Sequence, residues 1–207
     1  MARGLGERLL LGARVSEVRR EHGRYLISGQ SAEGEAAVVS ADGVIFATPA
    51  PITLDIAGAV LSDEQRHILG RIPYSTFATV ALFSESPIFD QAFDLAVPDG
   101  WIFTDIYDST WVQRAYDDRA AGYHGHVAAA YLAPAGFRDR ELMRRSDADL
   151  VAATLSDLQR IFPGTAALVG GSDVTRHAHA YPVMRPGAYR RLSRLHRTMI
   201  GSRVQLA

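Results

Sequence analysis

The feature that most constrains this 207-residue chain is an uninterrupted apolar run, VIFA at residues 44–47. Asp42-Gly43 precedes the run as a turn signal, and Pro49 and Pro51 follow it, so the run has the length of a strand. A strand that is apolar at every position is typical of a parallel sheet covered by helices on both sides. The run therefore predicts a strand that is buried on both faces.

A β-hairpin is predicted before this strand. RYLIS at residues 24–28 follows a His22-Gly23 turn, and AAVVS at residues 36–40 supplies the return strand after a polar loop. Runs rich in β-branched and aromatic residues predict further strands. These runs lie at residues 76–83, 101–104, 111–116, 126–132 and 173–179.

Helices are predicted from their capping residues. Ser62 and Gln65 form a capping-box pattern, so a short helix begins there and ends at Gly70. Ser146 begins the clearest helix, which Pro163-Gly164 ends. Its apolar residues repeat at helical spacing on one face, namely Leu150, Val151, Leu155, Leu158, Ile161 and Phe162. A last helix is predicted at residues 189–195.

Composition excludes several function classes. The net charge of −1 indicates neither nucleic acid nor an anionic membrane as a partner. The sequence has no Cys, which excludes disulfides and thiolate metal sites, and no Lys, which excludes a lysine Schiff base. No apolar run approaches the roughly 20 residues of a membrane span. We expect a cytoplasmic protein without a membrane span.

Two His-x-His pairs are candidate metal ligands, His124 with His126 and His177 with His179. Residues i and i+2 of a strand share a face, so each pair could offer two imidazoles to one ion. No carboxylate stands at the spacing of a third ligand. Histidines that recur on strands are therefore the favoured interpretation, and no metal site is predicted.

Five segments together resemble the superfamily of flavin-containing amine oxidases, protoporphyrinogen oxidases and phytoene desaturases. Their order and spacing along the chain match that superfamily. The segments are residues 12–18 (GARVSEV), 47–49 (ATP), 71–75 (RIPYS), 182–187 (PVMRPG) and 204–207 (VQLA).

The resemblance implies FAD as the cofactor and names the residues beside it. Val15 corresponds to the position whose backbone meets the adenine. Ala47, Thr48 and Pro49 form the turn beside the cofactor, and Ala207 leads into the flavin. This assignment agrees with the usual position of a dinucleotide, which lies across the carboxyl ends of the strands in an open α/β sheet.

The resemblance also implies a substrate region that contains Tyr74, Thr79 and His177. In the amine-oxidising branch a lysine stands at the position aligned with Thr79, where it holds a water at the flavin. Threonine lacks that charge, which disfavours amine oxidation and favours an apolar or aromatic small-molecule substrate. His177 stands where the family often has tryptophan. No catalytic residue is assigned, and the oligomeric state is not predicted.

The predicted fold class is α+β, related to the α/β class. A partial FAD-binding layer of β-strands is expected beside a substrate domain that has a mixed sheet and flanking helices. Residues 1–57 are assigned to the FAD-binding domain, 58–185 to the substrate-binding domain, and 186–207 to a return into the first. The resemblance predicts an FAD-dependent oxidoreductase that transfers hydride from the substrate to the flavin. The alternatives are a non-catalytic binding module for an apolar small molecule and a metal-binding β protein.

The family has a dinucleotide-binding βαβ unit before these segments and a glycine-acid motif after them. The sequence contains no glycine-rich phosphate loop. The resemblance therefore predicts an interior portion of a flavoenzyme that is inactive by itself.

Overall fold

The structure is a computed structural model that describes residues 2–89, 94–98, 100–110, 125–136 and 139–207, without the side chains of residues 2, 3 and 7. The chain divides into two compact units. The first unit joins Met1–Pro73 with Met184–Ala207, and the second unit is Tyr74–Val183.

Helices and strands both contribute throughout the described residues, which confirms the predicted α+β class. The helices are α1 (Ala2–Leu5), α2 (Ala50–Ala57), α3 (Asp63–Leu69), α4 (Asp147–Ile161) and α5 (Ala188–Met199). The strands are β1 (Arg14–Glu21), β2 (Arg24–Gln30), β3 (Ala36–Ala41), β4 (Val44–Phe46), β5 (Tyr74–Ser84), β6 (Asp94–Ala96), β7 (Asp105–Asp108), β8 (His126–Leu132), β9 (Val169–Pro182) and β10 (Val204–Leu206).

An antiparallel sheet in the order β1-β2-β3 begins the first unit. His22 and Gly23 both have positive φ, +48° and +82°, which is the backbone of a tight hairpin turn whose twist matches the strands. Ile27 of β2 pairs with Val39 of β3. The predicted hairpin is therefore confirmed.

The apolar run forms β4, which pairs in parallel with β10. Phe46 is buried, but the side chain of Ile45 is 71% exposed. The prediction of burial on both faces is thus wrong for Ile45. Within the described residues β4 pairs with β10 alone, and no element covers the face that carries Ile45.

Helix α2 begins directly after β4 and was not predicted, because two prolines suggested only the end of a strand. Pro51 occupies the first turn of α2. Proline costs no helical hydrogen bond there, since the first N–H groups of a helix have no partner in the helix.

Helix α3 has the predicted capping box, in which Ser62 Oγ accepts from the Gln65 amide and Gln65 Oε1 accepts from the Ser62 amide. Gln65 Nε2 also donates to Thr198 Oγ1 of α5 at 3.1 Å. Glu64 and Arg194 add an ion pair between the same helices. These contacts tie α3 to α5 within the first unit, whose first segment ends at Pro73.

The second unit is built on a five-stranded sheet in the order β6-β7-β8-β5-β9, with antiparallel pairing throughout. One face of the sheet forms the core with α4. Leu150 and Leu158 of α4 are fully buried against it. The sheet residues that share this core include Ala78, Val80, Leu82, Ile106, Ala128, Ala130 and Leu132.

The strands predicted at 76–83, 126–132 and 173–179 lie within β5, β8 and β9. The strand predicted at 101–104 is wrong, because the amide of Ile102 donates to Asp157 Oδ2 at 2.7 Å rather than to a strand. The neighbouring β7 begins at Asp105, and β6 was not predicted. The strand predicted at 111–116 lies outside the described residues.

Candidate functional site

A cavity of about 320 Å³ opens on the sheet face that points away from the core. It lies at the start of β5 and the end of β8. These two ends are adjacent because the strands run antiparallel and pair Ala78 with Leu132. All of its lining residues belong to the second unit. They are Ser75, Thr76, Phe77, Thr104, Asp105, Tyr131, Ala133, Pro134 and Tyr181.

Strand alternation places aromatic side chains at this cavity. Ala78 and Val80 of β5 point into the core, so Phe77 between Thr76 and Ala78 lies on the opposite face. The same alternation in β8 buries Leu132 in the core and turns Tyr131 to the cavity. Within each strand, alternation therefore decides which side chains face the cavity.

Four aromatic rings form a continuous cluster at the wall. Tyr131 lies between Phe77 and Tyr107, with ring centroids 5.1 Å apart in both pairs. Tyr181 meets Phe77 edge-on at 5.5 Å. Tyr131 and Tyr107 are stacked with an interplanar angle of 19°. Such offset and edge-on pairs hold the rings in fixed orientations, so the wall is preorganised.

One hydrogen bond fixes the polar edge of the cluster. The Tyr131 hydroxyl donates to the Tyr107 hydroxyl at 2.9 Å. This bond raises the pKa of Tyr131, and burial and the nearby Asp105 carboxylate raise it further. Tyr131 is therefore a neutral phenol at physiological pH. Asp105, which accepts from Thr104 Oγ1, is the carboxylate among the lining residues.

The residues predicted for substrate binding lie around this cavity rather than in its lining. Thr79 pairs across the sheet with Tyr131 and Thr175, and His177 pairs with Phe77. Tyr74 meets the ring of His179 edge-on, with centroids 5.8 Å apart.

No sequence pattern predicted Asp105, Tyr107 or Tyr181 as site residues. Asp105 and Tyr107 belong to a four-residue strand that is too short for a periodic signal, and only the register with β8 places them beside Tyr131. Tyr181 follows a bulge in the β5–β9 pairing. The available signal was the prediction of β5 and β8 as strands, which carry Phe77 and Tyr131.

The residues predicted for the cofactor come together at one edge of the first unit, with one exception. Ala47, Thr48 and Pro49 follow β4, and the Ala207 amide donates to the Phe46 carbonyl at 2.9 Å. The carboxyl ends of the parallel strands β4 and β10 are thus adjacent. Val15 lies instead on β1, in the separate three-stranded sheet.

The side chain of Thr48 makes a local contact at this edge. Its hydroxyl lies 2.8 Å from that of Thr53 in the first half of α2. Thr53 also donates to the Thr48 carbonyl. These bonds hold the turn after β4 against the helix that follows it.

The histidine pairs do not form a metal centre within the described part of the chain, where no group of three or more His, Cys, Asp or Glu residues converges. His126 is buried and its Nδ1 lies 3.4 Å from Asp108 Oδ2. His177 is exposed, and the buried Nδ1 of His179 has no hydrogen-bond partner there. His124 lies outside the described residues.

Comparison with known proteins identifies the family. The model of flavin containing amine oxidoreductases matches residues 1–207, the whole of this chain. The chain belongs to the flavin-containing amine oxidoreductase family. The resemblance read from the sequence is thereby confirmed, and FAD is the cofactor that the family implies.

Solved structures share the fold at low sequence identity. Putrescine oxidase, solved with putrescine bound, is 16% identical with a TM-score of 0.71 over 100% of this chain and 44% of its own. A putative protoporphyrinogen oxidase from Exiguobacterium sp. 255-15 is 19% identical with a TM-score of 0.64 over 94% and 41%. Reduced UDP-galactopyranose mutase is 14% identical with a TM-score of 0.62 over 94% and 40%.

The chain therefore spans less than half the length of these solved structures. No curated protein matches it. Among the described helices, none has the length and apolar character needed to cross a membrane.

The first unit fits a dinucleotide cofactor at the edge formed by β4 and β10. Dinucleotides lie outside the carboxyl ends of parallel strands, and these two strands are parallel and end together. Ala47, Thr48 and Ala207 have small side chains, which allow a ligand to approach the backbone.

Proposed function

We propose that the chain is part of an FAD-dependent oxidoreductase in which a hydride passes from an apolar or aromatic organic substrate to the flavin. The aromatic wall of the cavity carries the proposal, because Phe77, Tyr131 and Tyr181 offer a preformed apolar surface on the open face of the sheet. When bound, the flavin supplies the hydride acceptor, while the protein binds and orients the substrate.

The side chains of the wall have separate tasks in this proposal. Phe77 and Tyr131 line the cavity beside the ring of the substrate and exclude water from it. The hydrogen bond from Tyr131 to Tyr107 keeps the Tyr131 ring in one orientation and its hydroxyl neutral. Thr79 and His177 border the wall as the cross-strand neighbours of Tyr131 and Phe77.

The presence of threonine at position 79 favours an apolar substrate over an amine in this proposal. The family resemblance puts a lysine at this position in the amine-oxidising branch, and threonine lacks both its charge and its reach. The similarity to putrescine oxidase concerns the fold, since only 16% of the residues are identical.

The cofactor contacts in this proposal are Ala47, Thr48, Pro49, Ala207 and Val15. The sequence contains no glycine-rich loop at a helix N-terminus to hold the pyrophosphate. We therefore propose that this chain acts together with a segment that supplies that loop, and that the chain by itself is inactive. The lack of cysteine fits a reducing compartment, and we propose a cytoplasmic location.

The test compares two phenylalanines of one strand in the FAD-loaded protein, in which the chain is joined to the segment that supplies that loop. Phe77 lines the cavity, whereas Phe83 shares its sheet face at the far end of β5 and does not line the cavity. Phe77→Ala should raise the KM for aromatic substrates about tenfold, because a ring contact and apolar burial are lost. Phe83→Ala should leave KM and the rate of flavin reduction unchanged.

Equal effects of the two variants would contradict the assignment of the cavity. If aromatic and apolar compounds fail to reduce the flavin in anaerobic stopped-flow experiments, the oxidoreductase proposal itself is wrong. The two failures are distinguishable, since the first leaves turnover in place.

A non-catalytic binding module for an apolar small molecule is the second candidate. It is favoured by the lining of the cavity, which lies wholly in the second unit and includes none of the proposed cofactor residues. Tight binding of an apolar ligand by the 207-residue chain without flavin, together with no flavin reduction in the FAD-loaded protein, would support this candidate.

A further inference from the structure

The segment that contains helix α5 has a local excess of positive charge, which the net charge of the whole chain does not reveal. Residues 184–207 hold six of the 22 basic residues and none of the 23 acidic ones. The other 183 residues therefore carry 16 arginines against 23 acids, a formal charge of −7. The net charge of −1 arises because these two regions nearly cancel.

The apolar side of α5 is already occupied within the first unit. Ala188, Leu195 and Met199 are buried, and α5 is linked to α3 through Thr198 and Gln65. The helix is thus held in place by one face, and its opposite face is exposed.

The exposed face combines charge with two large apolar side chains. Arg190, Arg194 and Arg197 follow one another at spacings of four and three residues, which places them in one stripe. Arg194 is paired with Glu64, while Arg190 and Arg197 are exposed. Tyr189 and Ile200, at the two ends of the helix, are 77% and 73% exposed beside this stripe. We call these five residues the α5 basic face.

We propose that the α5 basic face binds the surface of a membrane that contains anionic phospholipids. Each arginine near such a surface contributes about 1 kcal/mol of attraction, and tyrosine and long apolar side chains favour the headgroup boundary. An exposed isoleucine beside the arginines favours a lipid over a nucleic acid, because a lipid surface offers an apolar interior. The proposal does not depend on the redox function.

Vesicle sedimentation of the 207-residue chain tests this proposal. We expect binding to vesicles of phosphatidylcholine with roughly one third phosphatidylglycerol, no binding to phosphatidylcholine alone, and weaker binding as salt is raised. Arg190→Gln with Arg197→Gln should weaken binding roughly 30-fold. Arg190→Lys with Arg197→Lys should retain it, because attraction to a charged surface requires a positive charge and not a guanidinium group.

The matched control removes two exposed arginines elsewhere in the first unit, Arg14→Gln with Arg20→Gln on β1, and should bind like the unaltered chain. Tyr189→Ser should weaken binding without any change of charge. Circular dichroism checks that every variant is folded.

Three results would overturn the proposal. The first is no binding to the acidic vesicles at low salt. The second is an equal loss of binding in the β1 control and in the variant that removes Arg190 and Arg197. The third is tighter binding to an RNA oligonucleotide or to polyglutamate than to the acidic vesicles, which would assign the face to a soluble polyanion.

Discussion

At the scale of single residues, Thr79 offers a direct test of which branch of the family this protein resembles. It lies on β5 between its cross-strand neighbours Tyr131 and Thr175. In the FAD-loaded protein, Thr79→Lys should alter turnover or the flavin absorption spectrum, because it adds a charge beside the aromatic wall. Phe83→Lys, which adds the same charge at the far end of the strand, is the control. Unchanged kinetics and spectrum for Thr79→Lys would mean that the alignment of Thr79 with the family's lysine is wrong.

The raised pKa of Tyr131 gives a second prediction at this scale. Its largest cause is the hydrogen bond to Tyr107, so Tyr107→Phe should lower the pKa of Tyr131 towards the ordinary tyrosine value of about 10. Alkaline titration of tyrosinate absorbance in the two proteins measures this change.

The sign of the accompanying stability change follows from linkage. The folded state holds the Tyr131 proton more tightly than the unfolded chain does, so the stabilisation is fully present below pH ~10 and is lost as the pH rises towards the raised pKa. Urea unfolding should therefore show the difference between the unaltered protein and Tyr107→Phe at neutral pH, with the difference shrinking at strongly alkaline pH. A difference that does not depend on pH would contradict this explanation.

At the scale of elements, one side chain with two roles contributes to the contact between α3 and α5. Gln65 completes the capping box of α3 and donates to Thr198 of α5. A double-mutant cycle of Gln65→Ala and Thr198→Val should give a coupling free energy of about 1 kcal/mol in urea unfolding. Ser62→Ala, which removes only the cap, should cost about 1 kcal/mol and show no coupling to Thr198. Additive effects of Gln65→Ala and Thr198→Val would show that the hydrogen bond does not form in solution.

At the scale of the whole molecule, the two compact units have separate cores. Leu158 is fully buried in the core of the second unit, and Phe46 is buried in the first. Leu158→Ala should cost about 2–5 kcal/mol and Phe46→Ala about 3–5 kcal/mol. Hydrogen exchange resolved along the chain should show that each change lowers amide protection mainly in its own unit. Equal loss of protection in both units after either change would mean that the units unfold as one.

Several elements were predictable because their signals are local. The Ser62–Gln65 box, the His22-Gly23 turn and the helix after Ser146 depend on side chains a few residues apart, and each is present. The family was also recognisable, because its segments keep their order along the chain.

Other features depend on residues that are distant in the sequence, and tertiary structure alone decided them. The exposure of Ile45 depends on which strands lie beside β4, and the amide of Ile102 is satisfied by Asp157, 55 residues away. Strand register brought Tyr107 to Tyr131, which no spacing in the sequence indicates.

The sequence by itself thus determined the local elements, the α+β class and the family, because propensity, capping and motif order act over short stretches of chain. Tertiary structure decided the composition of the aromatic wall and the exposure of the α5 basic face. Both depend on which faces are buried, and burial is a property of packing between distant segments. The charge of residues 184–207 can be counted in the sequence, but only the packing of Leu195 and Met199 turns Arg190 and Arg197 outward.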